Sequence, residues 1–184
     1  MLQTRLMSTT DKSAVVDLFV KSFVDNHLYR KFFPEDREEK VSRLAKLVID
    51  YLVEEGCSYV VTDKDKLVAF LWTTNYDKLK LNKEMLTKVF SPTNNLEDNQ
   101  YYKIIEEHIN NLHNCLFILS CAVAEEYRNK GIAKQLISLY FGTSRDKSIV
   151  CDVANPLLLS VFKELEFDIL TLDNDYWLCI HKGD

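Results

Sequence analysis

The residues from Leu119 to Ile137, Leu-Ser-Cys-Ala-Val-Ala-Glu-Glu-Tyr-Arg-Asn-Lys-Gly-Ile-Ala-Lys-Gln-Leu-Ile, pass from an apolar run through a polar turn into helical apolar spacing. A loop whose successive backbone N–H groups point inward, set at a helix N-terminus where the peptide dipoles leave partial positive charge, binds anions. Gly131 has no Cβ, so a ligand can approach the backbone closely, and Arg128 and Lys130 add positive charge beside it. Small Ala133 lets the first helical turn lie against the preceding strand. The chemistry these residue types suit is the holding of a diphosphate. Taken alone, Arg-x-x-Gly-x-Ala recurs by chance in helices that merely begin with glycine; the strand before it and the helix after it give it weight. Cys121 lies on the same apolar run, but a thiol in such a run with no paired histidine is usually inert, because the thiolate is the nucleophile.

The elements that must position this stretch can be read from periodicity. Gln3 to Met7 reads as a short strand, followed by the helix-capping cluster Ser8-Thr9-Thr10-Asp11. Val15, Val16, Phe19, Val20 and Phe23 recur at helical spacing until Asn26 and His27, and Phe32-Phe33-Pro34 breaks the chain. Asp36 opens a longer helix with Val41, Leu44, Leu47, Val48, Tyr51 and Leu52 along one face, closed at Gly56. The spacing thus predicts two amphipathic helices ahead of the sheet. Cys57 to Thr62 and Leu67 to Thr74 pair as a hairpin across the polar turn Asp63-Lys64-Asp65-Lys66.

Between Asp77 and Asn114 the pattern predicts a helix through Leu79 to Phe90, a break at Ser91-Pro92 and a helix from Tyr101 to Leu112, an insertion over one edge of the sheet. Cys115 to Val123, Gly131 to Phe141, Ser148 to Val153 and the segment opened by Pro156 then run strand, helix, strand, helix, with Asn155 as N-cap of the last. Phe167 to Leu172 and Tyr176 to His181 close the chain as a second hairpin. The succession predicts a mixed α/β or α+β fold.

Length and composition bound the rest. With 184 residues, the chain is expected to form a single domain, residues 1–184, burying roughly 70% of its unfolded surface. Apolar residues at 47% and charged residues at 28% are ordinary for a soluble globular protein. The net charge of -5 opposes a nucleic-acid footprint, which needs clustered Lys and Arg. Five cysteines, an odd number, three of them in apolar runs, fit a reducing cytosol, so a cytoplasmic location is expected. Metal ligation is not indicated: CxxC is absent, and His108 and His113 are spaced by five rather than four. No apolar run approaches the roughly 18 residues of a membrane span, so no membrane partner is expected.

Arg128-x-x-Gly131-x-Ala133 after an apolar strand resembles the (Arg or Gln)-x-x-Gly-x-(Gly or Ala) pattern of the GNAT N-acetyltransferase superfamily, and Ile132, Leu136 and Ile137 match its apolar helix positions. Asn155 followed by Phe162, Glu166 and Phe167 resembles its second pattern, Asn, then Tyr seven residues on, then Gly-Phe, with Phe162 in place of Tyr and Glu166 in place of Gly. The resemblance covers nearly the whole chain and is sharpest at Arg128 to Ala133. It implies a mostly antiparallel twisted sheet with helices on both faces, splayed near the Cys115 to Val123 strand to admit acetyl-coenzyme A as cosubstrate. It also implies that the backbone of Ala122 and Val123 pairs with the pantetheine arm, that the amides of Arg128, Asn129, Lys130, Gly131, Ile132 and Ala133 wrap the pyrophosphate, and that Asn155 and Phe162 lie against the coenzyme.

The activity implied is acetyl transfer to a primary amine of a small molecule or peptide, with the acceptor near the early helices among Phe23, Tyr29, Trp72 and Tyr76. Such a transfer needs a base for the ammonium, a group that polarises the thioester carbonyl and a proton source for the thiolate. Phe162 has no proton to give, which leaves Tyr176 or Tyr127 as acid, the backbone N–H of Val123 at the carbonyl, and Ser120, Glu125 or a water chain as proton relay. Without an acid the same fold would serve as a non-catalytic acyl-coenzyme A binding module. The helices from Asp77 to Asn114 offer a surface for a homodimer or another partner.

Overall fold

Seven strands form, β1 (Leu2–Leu6), β2 (Tyr59–Asp63), β3 (Lys66–Asn75), β4 (Leu116–Val123), β5 (Ile149–Val153), β6 (Asp168–Asp173) and β7 (Tyr176–His181), and β-branched and aromatic residues are frequent in β2, β3, β5 and β7. They make one sheet in the order β1-β2-β3-β4-β5-β7-β6, antiparallel throughout except where β4 lies beside β5. The computed structural model describes residues 1–91, 100–112, 114–173 and 176–183, so Pro92, Asn174 and Asp175 of the expected break and turn lie outside the described residues. Parallel neighbours need a crossover, and α7 (Ile132–Thr143) supplies it between β4 and β5.

The other helices are α1 (Lys12–Phe23), α2 (His27–Phe32), α3 (Arg37–Glu55), α4 (Tyr76–Leu81), α5 (Lys83–Phe90), α6 (Gln100–Ile109) and α8 (Pro156–Glu164). One face of the sheet is covered by α7 and α8, whose Ile132, Leu136, Ile137, Val161 and Phe162 pack on Val68, Leu71, Ile118, Ile149 and Cys151. On the opposite face α1 and α3 cover Val60, Phe70 and Trp72 through Val15, Phe19, Val41, Val48 and Leu52. Beside them α4, α5 and α6 cover Phe117, Val150, Leu178 and Ile180 through Leu79, Leu86, Ile105 and Ile109. The described helices of the Asp77 to Asn114 segment therefore lie over a face of the central strands rather than over an edge. None of the described helices is long and apolar enough to cross a membrane.

Three helix starts escaped the periodicity, and all are asparagine caps. Asn26 opens α2 by accepting from the Leu28 N–H at 2.8 Å, Asn75 opens α4 by accepting from Lys78 at 3.1 Å, and Asn82 opens α5 by accepting from Met85 at 3.0 Å. A side-chain oxygen that satisfies an orphan first-turn N–H lets a helix begin with little apolar pattern of its own. The expected single helix from Leu79 to Phe90 is thus two, parted at Asn82, and α2 is a further helix between the two expected before the sheet. At the other end of β1, Asp11 accepts from both Arg5 Nη atoms at 2.7 Å and from the Ser8 N–H at 2.8 Å, and the guanidinium holds its carboxyl down at about 2.

The position where Glu166 replaces glycine is informative. Glu166 has φ of 61°, the left-handed region, and donates its N–H to Lys163 O at 3.1 Å, while Phe167 N–H reaches Phe162 O at 3.0 Å. These two bonds close α8 as a Schellman motif, and the Phe162 and Phe167 rings meet at 5.1 Å as its apolar clasp. The end closes as it would with glycine, at the cost of a Cβ in the left-handed region, about 1–2 kcal/mol. Glu166→Gly relieves that strain, partly offset by the larger unfolded-state entropy of glycine. The expected gain is about 0.5–1 kcal/mol, or about 1–3 °C in Tm by scanning calorimetry; no gain or a loss would show that Glu166 rests there without strain.

Candidate functional site

The central feature is a pair of strands that part. Parallel pairing of β4 with β5 runs only from Leu116 beside Ile149 to Ile118 beside Cys151. Beyond that point β4 continues to Val123 paired only with β3, and β5 continues to Val153 paired only with β7. The edges of Leu119 to Val123 and of Asp152 and Val153 that face one another therefore carry backbone groups with no ladder partner, in the middle of the sheet. A buried backbone group must find a partner elsewhere. The splay expected near the Cys115 to Val123 strand is present.

A second irregularity sits at the same place. Trp72 opposes Ser120 while Thr73 opposes Ile118, so Leu119 is an extra residue on β4, a bulge. The bulge reverses the alternation of the strand: Ile118 belongs to the α7 and α8 layer, whereas Leu119 and Ala122 belong to the layer under α1 and α3. Leu119 and Ser120 consequently both border the space on the α1 side, and a cavity of about 500 Å³ opens there. It passes through the parted strands, from Ile137, Leu158 and Phe162 on one side to Phe19, Phe23, Tyr29 and Phe90 on the other.

At the gap between the two sides lies Asp152, which the periodicity and the motifs did not single out. Its partial exposure opens onto the cavity, and Tyr176 Oη donates a hydrogen bond to its Oδ2. Burial holds the Asp152 carboxyl above the usual carboxylate range, and the Tyr176 bond works in the other direction. Burial also pushes up the hydroxyl of Tyr29, with the Asp152 charge adding to it, and both residues line the cavity. Asp152 follows the apolar Ile149 to Cys151 and stands three residues before the cap Asn155, an acidic interruption of a buried strand that was the available signal.

The phosphate-type loop is built as follows. Asn129 and Gly131 both take left-handed conformations, φ 60° and 74°, and Gly131 caps α7, whose first intrahelical bond runs from Gln135 N–H to Gly131 O at 2.9 Å. The N–H groups of Ile132, Ala133 and Lys134 are then first-turn donors with no intrahelical acceptor. A Cβ placed on Gly131 would meet nothing within 4 Å, so the loop leaves an open cradle in front of that residue. The side chains turn elsewhere: Arg128 Nε bonds Val123 O at 3.1 Å, tying the loop to the end of β4, and Lys130 Nζ bonds Glu126 O at 2.9 Å above the Tyr127 ring. Backbone shape rather than side-chain charge forms the cradle.

Of the other expected site residues, Ser120, Asn155, Phe162 and Tyr176 line the cavity, and Cys121, read as inert, lines it with them. Asn155 Oδ1 accepts from Leu157 N–H at 3.0 Å as the cap of α8, and Phe162 is core on one side and cavity wall on the other. Burial pushes the Cys121 thiol up to about 12, which leaves it unreactive. Ala122 and Val123 end the parted edge of β4, with Ala122 buried against the α1 layer. Tyr127 and Glu125 are not brought to the cavity; Tyr127 Oη donates to Asp63 Oδ2 at 3.0 Å and Glu125 is exposed. Among the described residues no cluster of three or more His, Cys, Asp or Glu is placed to hold a metal.

The acetyltransferase (GNAT) family model matches residues 25–167, most of the chain and all of the parted strands and the cradle. The protein belongs to the GNAT acetyltransferase family. A search of curated protein sequences gives no match. Among solved structures, the C-terminal condensation domain of Ebony, in complex with beta-alanyl-dopamine, is similar over 99% of both chains at 15% identity, TM-score 0.72. A histone acetyltransferase HPA2 and related acetyltransferase from Corynebacterium glutamicum is similar over 99% of this chain and 96% of that one at 14% identity, TM-score 0.71. The polyamine N-acetyltransferase of Drosophila melanogaster, which forms N-acetylagmatine, is similar over 99% and 100% at 12% identity, TM-score 0.66. At such identities the likeness is one of fold.

The raised carboxyl gives a test of the site's geometry. A folded state that holds a carboxyl proton more tightly than the unfolded chain loses stability as pH rises from about 4, the ordinary Asp value, through the raised folded value. Asp152→Asn removes that burden and keeps an acceptor for Tyr176. Thermal melts should show the variant level with the wild type near pH 4 and more stable at pH 8. A variant less stable than the wild type at pH 8 would mean that the ionised Asp152 is compensated by partners beyond Tyr176.

Proposed function

We propose that the chain acts as one N-acetyltransferase domain, 1–184, that moves the acetyl group of acetyl-coenzyme A to a primary amine. The observation that carries this reading is the parting of β4 from β5 beside an open backbone cradle at the start of α7. The cradle suits the pyrophosphate, and the unpaired edge of β4 from Ser120 to Val123 suits the amide-bearing pantetheine arm. Acetyl-coenzyme A supplies the activated acetyl thioester, and this chain supplies position and proton traffic. Phe162 packs against the arm without chemical duty, and Asn155 holds the start of α8 beside it.

The acceptor enters from the α1 and α2 side, where Asp152 is the proton-accepting group in the cavity whose proton affinity burial raises. It takes the ammonium proton that must leave before the nitrogen can attack. Tyr176, hydrogen-bonded to Asp152, stands in for the hydroxyl that Phe162 lacks and protonates the departing thiolate, regaining its proton through Asp152. The amide N–H of Val123 polarises the thioester carbonyl, and Ser120 beside the cavity relays the second proton lost by nitrogen. Amine acceptors also fit the fold's company, since a solved relative acetylates a polyamine. The missing hydroxyl at Phe162 favours one other reading, a non-catalytic acyl-coenzyme A binding module.

Calorimetric titration with acetyl-coenzyme A tests the cofactor. The wild type is expected to bind saturably, and Gly131→Glu, which puts a carboxylate into the cradle at a left-handed position, to bind at least about 10-fold more weakly while keeping the wild-type circular dichroism spectrum. Thiol release with amines then decides between enzyme and binding module: turnover lost in Tyr176→Phe supports the transfer mechanism, and binding without turnover supports the module.

A further inference from the structure

The acceptor half of the cavity has a composition that selects among amines. Its wall is a set of mutually braced rings: Phe19 stacks on Trp72 at 4.6 Å and meets Phe23 at 4.9 Å, and Tyr29 lies edge-on to Phe19 at 5.9 Å and parallel to Phe33 at 6.3 Å. Phe90, braced by Tyr102 at 5.3 Å and Phe117 at 5.2 Å, closes the side formed by α5 and α6. Among the described residues, the charged side chains lining the main cavity are Asp25 and Asp152. Asp25 is exposed at the mouth and already lies 3.5 Å from Arg30 and 3.3 Å from Arg37. Asp152 is thus the carboxylate available inside.

We infer that the acceptor is a primary monoamine with an aromatic body, its ammonium held at Asp152 and its ring against Phe19, Phe23 and Tyr29; this rests on the proposed acetyltransferase reading. A cation without a partner is expensive to bury, and among the described residues the aromatic wall offers no further carboxylate to the second ammonium of a diamine. An α-amino acid brings its own carboxylate next to Asp152, where like charges repel. An aromatic ring matches the wall by offset and edge contacts that an alkyl chain cannot make, and Asp152 supplies the charge-assisted hydrogen bond that orients the nitrogen.

The test measures thiol release from acetyl-coenzyme A with phenethylamine, butylamine, putrescine, glycine and a peptide with a free N-terminus. Phenethylamine is expected to exceed putrescine and glycine by at least 100-fold in kcat/KM and butylamine by at least 10-fold. Asp152→Asn is expected to lower its kcat/KM by at least 30-fold, with kcat falling for loss of the proton acceptor and KM rising for loss of the ammonium contact. A neutral probe adds a readout that a merely structural role would leave unchanged: 2-phenylethanol should inhibit the wild type and Asp152→Asn alike, whereas phenethylamine should lose affinity for the variant. Turnover that favours putrescine, glycine or the peptide overturns the inference and leaves the acetyltransferase reading intact. So does the absence of calorimetric binding of phenethylamine to protein loaded with coenzyme A. Failure of the wild type to bind acetyl-coenzyme A overturns the parent reading instead.

Discussion

Two parallel strands that pair over a short stretch and then part create the condition on which the site depends. A sheet normally satisfies its backbone internally, and a gap in its middle leaves donors and acceptors that only a ligand or water can meet. Here the gap opens after Ile118 and Cys151, and nearly every feature of chemical interest borders it. The bulge at Leu119 turns Ser120 to the same side as Leu119, and Arg128 ties the cradle back to the last carbonyl of β4. The crossover through α7 ends one parted strand and begins the other, so the cradle and the gap are joined by the chain itself.

The rest of the molecule keeps that gap open. Strands held apart in the middle of a sheet would close if the layers above and below could collapse, and both are packed against collapse. On one side α7 and α8 rest on β3, β4 and β5 through Leu136, Ile137 and Phe162. On the other, two separate apolar clusters, one under α1 and α3 and one under α4 to α6, meet along the line of the cavity without filling it. The ring contacts among Phe19, Phe23, Tyr29 and Trp72 fix that wall in a single arrangement, because aromatic side chains have few rotamers and pack to crystal-like density.

Asp152 and Glu166 both place a side chain where stability alone would choose another. A carboxylate inside an aromatic cavity costs desolvation, and the cost appears as a raised proton affinity. A glutamate in the left-handed region at the end of α8 costs backbone strain, yet the Schellman closure and the Phe162 to Phe167 contact hold it. The carboxylate has a chemical use in the proposed transfer, and for the glutamate the structure offers no comparable use.

The amino-acid sequence determined the local elements and the cradle, because both depend on residues near one another in the chain. Helical spacing in α1 and α3, strand composition in β2 to β5 and the turn from Arg128 to Ala133 were legible for that reason. The three asparagine-capped starts were legible only in part, since one side-chain hydrogen bond carries a signal far weaker than a stripe of apolar residues. Tertiary structure alone decided that α4 to α6 lie over a face of the sheet, that Leu119 is an extra residue, and that Asp152 meets Tyr176 at a cavity that Tyr29 also lines. Each of those depends on register or on contacts between segments distant in sequence. A continuous apolar run such as Cys115 to Val123 has no alternation to reveal where a bulge reverses it.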